Sequence, residues 1–181
     1  MFVWQSIAHM ALPLGAVGMQ EIPNEQPVLA AMQAQLADQS GLYMFPGPGV
    51  TPGMTRQQHN DAMQAYGAKL AANPSGILIY RPPGEKVITS GKLLTEFLIE
   101  LAEALILALL LARTRLSTFS AHLGFVTLAG LMASITTNLP YWNWYGFPTN
   151  YTATYMMMQI VGYIIAGSIA ARVLKGQMAR A

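Results

Sequence analysis

The chain has 181 residues, of which 53% are hydrophobic and 10% charged, with a formal net charge of +2 and no cysteine. An ordinary soluble domain carries about 25% charged residues; with a mean hydropathy of +0.35, this chain reads instead as an integral membrane protein. The composition excludes disulfide and thiolate–metal frameworks, and the lack of a dense basic run argues against nucleic acid as a partner.

Residues 1–19, MFVWQSIAHMALPLGAVGM, are apolar but interrupted by Pro13 and Gly15. They lack the basic flank and small-residue cleavage site of a signal peptide. They read as a hydrophobic helix that spans or half enters the membrane. A membrane helix beginning at residue 1 also leads us to expect a natural chain that continues upstream.

Residues 20–91 hold most of the polar and turn-forming positions and read as an α+β insert outside the membrane. Val28, Leu29, Met32 and Leu36 fall near one face of a helix opening after PNEQP, where Pro27 suits the first turn and Asn24 and Glu25 suit the positive end. LYMF at 42–45 and ILIY at 77–80 are short strand candidates closed by Gly and Pro. The stretches AMQAQLADQSGLYMFPGPG and AMQAYGAKLAANPSGILIYRPPG share an order of helix, Ser-Gly, apolar run and Pro/Gly stop, by duplication or by chance. Two helix–strand units with paired strands follow from either origin. Two strands alone are marginal and the insert is small, so we expect it to lean on the membrane surface or a partner. GPGVTPG lacks the Lys-Ser/Thr ending of a phosphate-binding loop.

Three stretches have the roughly 20 residues that cross a core about 30 Å thick: 93–112, 119–139 and 152–173. The fold class is therefore mainly α, an integral membrane helical bundle of three clear transmembrane helices plus the N-terminal one. The first stretch carries Glu96, Glu100 and Glu103 at i, i+4 and i+7, one face of a helix. Glu103 lies ten residues before Arg113. At 1.5 Å per residue that is about 15 Å, which puts it near the midplane. An ionised acid there costs a few kcal/mol even on mild scales, so it should face polar groups or water, or be protonated. Partners at matching depth are Ser134, Asn138, Gln159 and His9, with Thr136, Thr137 and Tyr163 nearby. Three readings stay open: a helix start outside the membrane that leaves Glu96 and Glu100 solvated, a polar binding pocket or proton site, or ion-paired contact with another subunit. The cytoplasmic half, ALILALLLA, is almost wholly apolar and argues against a transport path.

Between the second and third stretches, Tyr141, Trp142, Trp144, Tyr145 and Phe147 crowd an uncharged loop. Amphipathic rings favour the headgroup layer, so these form an interfacial anchor or a docking surface. Arg113 and Arg115 in the preceding turn, and Arg172, Lys175 and Arg180 in the tail, place those ends in the cytoplasm and residues 20–91 in the periplasm. His9, His59 and His122 are too scattered for a metal site; a lone membrane histidine packs, or ligates a haem or chlorophyll. No protein-bound cofactor motif is present, and a bound lipid or pigment is the remaining cofactor expectation. Met156–Met158 points in several directions, which suits packing. Gly162, Ala166 and Ala170, with Gly167 and Ala171, predict close approach of the last helix to a neighbour.

HMALPLG, IPNEQPVLAAM, SGLYMFPGPG and YWNWYGFPT together resemble a family of small, uncharacterised bacterial inner-membrane proteins. The resemblance implies an inner-membrane location and an upstream start, and brings no catalytic residue. With no nucleophile–base pair, nucleotide motif or metal spacing, the expectation is a non-enzyme. Two functions follow. One is an accessory subunit of a larger membrane complex, photosynthetic or respiratory in context, with lipids and other subunits as partners. The other is a stand-alone protein that binds a small molecule or proton at the outward-facing glutamates.

Overall fold

The computed structural model describes residues 1–178, with side chains through Val173. In chain order the elements are α1 (Phe2–Ser6), continued by one π turn (Ile7–Ala11), a 3-10 turn (Leu14–Ala16), α2 (Gln26–Leu36), β1 (Gly41–Phe45), α3 (Arg56–Ala72), β2 (Gly76–Tyr80), α4 (Ser90–Arg113), α5 (Phe119–Tyr145) and α6 (Thr149–Met178). The protein is mainly helical with one two-stranded sheet among the described residues. It divides into two units: Met1–Gln20 with the chain from Val87 onward, and Glu21–Lys86. The second unit begins and ends within the 20–91 insert drawn from sequence.

In the helical unit, side-chain caps set where the helices start. Thr89 accepts a hydrogen bond from the Lys92 N–H, and Thr118 accepts one from the Ala121 N–H, each at 3.2 Å, satisfying donors that an uncapped helix leaves open. Helix α5 differs from expectation at its far end. The sequence reading stops it at residue 139 and gives the aromatic residues to a loop. It runs instead through Pro140 to Tyr145. Proline within a helix loses one backbone bond, which membrane helices tolerate. The stop is Gly146, whose left-handed φ of 71° lets its N–H reach the Tyr141 carbonyl. Tyr141, Trp142, Trp144 and Tyr145 are therefore helical, Phe147 alone lies in the connection, and Trp142 Nε1 donates to Thr149 Oγ1 at 3.1 Å across it.

Helix α5, and α6 over Thr149–Val173, are 27 and 25 residues long, and the most apolar 18-residue stretch of each has a mean hydropathy of 1.4 and 1.5; both are long and apolar enough to cross a membrane. Only 22% of the most apolar stretch of each is buried. A core helix of a soluble domain buries most of such a surface, so these flanks suit lipid better than water. Helix α4 is 24 residues long but, with its acids, is not apolar enough to join them, so two of the three expected spans meet this measure; its Leu94, Leu105, Ile106 and Leu109 are each 57–61% exposed. The N-terminal segment departs from a full span. Its helical run, Phe2 to Ala11, is about 15 Å long at 1.5 Å per residue, half of a bilayer core. Pro13 ends it: with no N–H and a fixed ring, it cannot continue the ladder.

The closest helix pair is α5 with α6. The Tyr163 side chain lies over Gly130, where an added Cβ would stand 2.8 Å from the Tyr163 Cβ, and Val126 fills the space over Gly167. Gly162 faces Trp4 rather than α5. Leu107 and Leu111 of α4 join Val126 in a fully buried cluster, with Leu123, Ala166 and Ala170 against it. At the tail, Arg172 sits 5.4 Å over the Phe119 ring; the Lys175 side chain and Arg180 lie outside the described residues.

In the smaller unit, α2 leads to β1 and α3 to β2, and the strands pair antiparallel with Gly41 opposite Tyr80 and Phe45 opposite Gly76. Helix α3 opens with a reciprocal cap between Thr55 and Gln58. One sheet face carries Tyr43, Leu78 and buried Tyr80, whose hydroxyl donates to the Ala37 carbonyl at 2.8 Å at the end of α2. Cross-strand partners Leu42 and Ile79 on the other face are 70% and 69% exposed. Neither α2 nor α3 fully buries a residue.

Candidate functional site: a glutamate-lined cleft

Three helices of the larger unit each turn one stripe of side chains toward a partly open cleft of about 180 Å³. The stripe from α4 is Glu96, Ile99, Glu100 and Glu103, the i, i+4, i+7 face together with the residue between its two ends. Gln5 and His9 line it from the N-terminal helix, with Met1 before them at the same four-residue spacing. From α6 come Tyr155, Met158, Gln159 and Tyr163, again one helical face.

Each wall is fixed by a specific contact. The Trp4 indole N–H donates to the Met158 carbonyl at 2.9 Å, pinning the N-terminal helix to α6. Phe2 meets Phe97 of α4 edge to face, with centroids 5.6 Å apart. The π turn widens the helix at residues 7–11, a feature frequent at functional sites, and the Leu12 N–H reaches back to the Ile7 carbonyl at 3.0 Å. His9 lies within that turn, edge-on to Tyr155 at 5.8 Å. The chain then doubles back closely enough that any side chain at Gly15 would run into the His9 imidazole.

The carboxylates differ in exposure. Glu96 is exposed, Glu103 half-buried, and Glu100 only 7% exposed. Glu100 Oε2 is the one buried side-chain oxygen or nitrogen without a hydrogen-bond partner among the described residues. An enclosed acceptor with no donor is a costly arrangement, and its side chain is part of the cleft lining.

Of the residues grouped from sequence, Glu96, Glu100, Glu103, Gln159 and His9 all line the cleft. Asn138 stands behind it: its amide donates to Gln159 Oε1 at 2.7 Å and to the Ser134 carbonyl at 2.9 Å, so it orients Gln159 from α5. Ser134 departs from the grouping. It is wholly buried, its hydroxyl donates to the Leu131 carbonyl of its own helix at 2.9 Å, and it is not part of the cleft lining. Thr136 and Thr137 likewise bond back to Met132 and Ala133. His122 is buried with Nδ1 2.7 Å from the Thr118 carbonyl, a packing histidine by its contacts. No group of three His, Asp or Glu among the described residues could hold a metal ion.

Sequence reasoning missed Gln5, Tyr155 and Met158. The i, i+4 pair Tyr151 and Tyr155 was the available signal. Those rings stack at 4.3 Å and, through Phe147 and Tyr141, continue the aromatic cluster at the end of α5 down to the cleft. No protein-family model, curated protein or solved structure matches the chain.

Proposed function

We propose that this is an integral protein of a bacterial inner membrane that binds a small cation in the glutamate cleft. In this reading α4, α5 and α6 cross the bilayer, the N-terminal helix covers its outer half, and Glu21–Lys86 is periplasmic. The lipid-suited flanks of α5 and α6 support the membrane assignment. The resemblance described above supports the inner membrane, and Arg113 and Arg115 opposite the uncharged turn after α5 support the orientation.

The observation that carries the binding function is the partnerless Glu100 Oε2, buried at the wall of a cleft that holds two further carboxylates. Binding rather than conduction is favoured because Leu107, Leu111 and Val126 close the bundle one and two turns beyond Glu103. The test is thermal stabilisation of the purified full chain in mild detergent by a panel of organic ammonium ions. Saturation at a hundred times the dissociation constant adds about 2.7 kcal/mol of stability. Stabilisation that disappears in Glu100→Gln is the expected result; no response in the parent, or an equal response in the variant, overturns the reading.

A second reading, an accessory subunit of a membrane complex, is favoured by the exposed Leu42–Ile79 pair and the incomplete core of the smaller unit. Co-purification of stoichiometric partners in mild detergent, lost in a Leu42→Ser/Ile79→Ser double variant, tests it.

A further inference from the structure

The spacing of the acids narrows the cation that the cleft would take, an inference that rests on the binding reading above. A single ammonium centre cannot meet three carboxylates strung along a helix. Glu96 and Glu100 are one turn apart, about 6 Å along the axis, and Glu103 adds about 4.5 Å. A compact metal ion needs its ligands converged on one point, and no such convergence exists among the described residues. The acids differ in exposure as well as in position: Glu96 is exposed, Glu100 is buried with a partnerless acceptor, and Glu103 is half-buried. The rest of the lining includes Ile99, Met158 and the Tyr155 and Tyr163 rings, whose apolar surface suits methylenes better than a second charge. Two groups of the lining can themselves be cations, the His9 imidazole and the Met1 α-amino group, and neither is hydrogen-bonded to Glu100 Oε2.

We infer that the cleft accommodates a linear aliphatic diamine, with one ammonium at Glu100 and Glu103, the carbon chain against Met158 and the tyrosines, and the second ammonium at Glu96. The inner ammonium sits against the Glu100 carboxylate, whose Oε2 has no donor among the described residues, and the Gln5 side-chain oxygen is a further acceptor of the lining. The length follows from the spacing: a chain of four or five methylenes separates its charges by about one helical turn, while two methylenes fall short and eight overrun.

The experiment is calorimetric titration of the full chain in mild detergent with 1,5-diaminopentane, 1-aminopentane, 1,2-diaminoethane and 1,8-diaminooctane. The expected result is that 1,5-diaminopentane binds most tightly, about fivefold better than 1-aminopentane, the upper range for an exposed ion pair. Glu96→Gln removes that advantage, weakening 1,5-diaminopentane more than 1-aminopentane until the two bind alike. Glu100→Gln weakens both by about thirtyfold or more, since it acts on the enclosed pair. Glutamine is isosteric, and an unchanged far-ultraviolet circular dichroism spectrum and elution volume verify that each variant is folded. Equal affinity for monoamine and diamine, or no optimum in chain length, overturns the diamine inference and leaves the cation cleft standing. Absence of binding by every amine, or binding indifferent to Glu100→Gln, overturns both.

Discussion

Replacing single glycines of α5 and α6 by alanine tests whether these helices approach as closely as described. Three positions give three different outcomes. At Gly124 an added methyl meets nothing within 4 Å, so Gly124→Ala should gain the helix preference of alanine over glycine, up to about 1 kcal/mol. At Gly130 the methyl would lie 2.8 Å from the Tyr163 Cβ, 3.1 Å from its Cγ and 3.4 Å from the Ile160 Cα. Two of these three atoms are anchored at or beside backbone and cannot rotate away, so the helices must separate. Overpacking of this kind costs about 1–3 kcal/mol; less the propensity gain, Gly130→Ala should lose about 1 kcal/mol. At Gly167 three atoms of the Val126 side chain occupy the site. Val126 is fully buried, and a β-branched side chain in a helix has essentially one rotamer. Gly167→Ala should therefore lose the most, about 2 kcal/mol net. Helicity followed through a titration of mild detergent with sodium dodecyl sulfate reads all three. The reasoning fails if Gly167→Ala is as stable as Gly124→Ala, because the two then sit in equivalent space.

Gln159→Leu breaks the Asn138–Gln159 bond between α5 and α6; the loss in the same titration should be about 1 kcal/mol, within the range of interhelical side-chain bonds in membranes. Trp4→Phe removes the indole bond to the Met158 carbonyl and should speed hydrogen exchange in residues 2–11 while leaving that of α5 unchanged. Gly146→Ala places a Cβ on a residue with φ of 71° and should cost about 1 kcal/mol. In the smaller unit, Tyr80→Phe deletes the bond to the Ala37 carbonyl and should lower its stability by about 1 kcal/mol.

The residues that announced themselves in the sequence did so through periodicity. Glu96, Glu100 and Glu103 recur on one helical face, and that face lines one cleft with Gln159 and His9. Strands at 42–45 and 77–80 were legible because aromatic and β-branched residues ended at Gly and Pro; they pair over Gly41–Phe45 and Gly76–Tyr80. What sequence left hidden depended on partners distant in the chain. Gln5 and Tyr155 are ordinary residues until the N-terminal helix is placed against α6 by Trp4 and Met158, 154 positions apart. Pro140 misled because it is a strong local breaker, yet the left-handed Gly146 is what ends α5. Ser134 misled for another reason: depth along a helix says nothing about rotation around it, and its hydroxyl is spent within α5.

The chemistry of the larger unit tracks the number of helices at each level. Toward the Ser90 end of α4, four helical segments surround the axis, because the N-terminal helix lies along the first turns of α6: Trp4 reaches Met158, His9 reaches Tyr155, and Gly18 meets Tyr151. That fourth segment is helical only from Phe2 to Ala11, so it widens the bundle at one level and not beyond. Every acid of α4 falls at or near the widened level. Toward the Arg113 end three helices suffice, and they close tightly through Gly167 against Val126, with Leu107 and Leu111 filling the centre. A carboxylate at position 107 or 111 would be enclosed in an almost wholly apolar cluster, whereas Glu100 has a cleft beside it. The short first helix and the position of the glutamates are thus one feature: the partial fourth wall makes the only level at which α4 can turn acids inward, and it leaves that level open at one end.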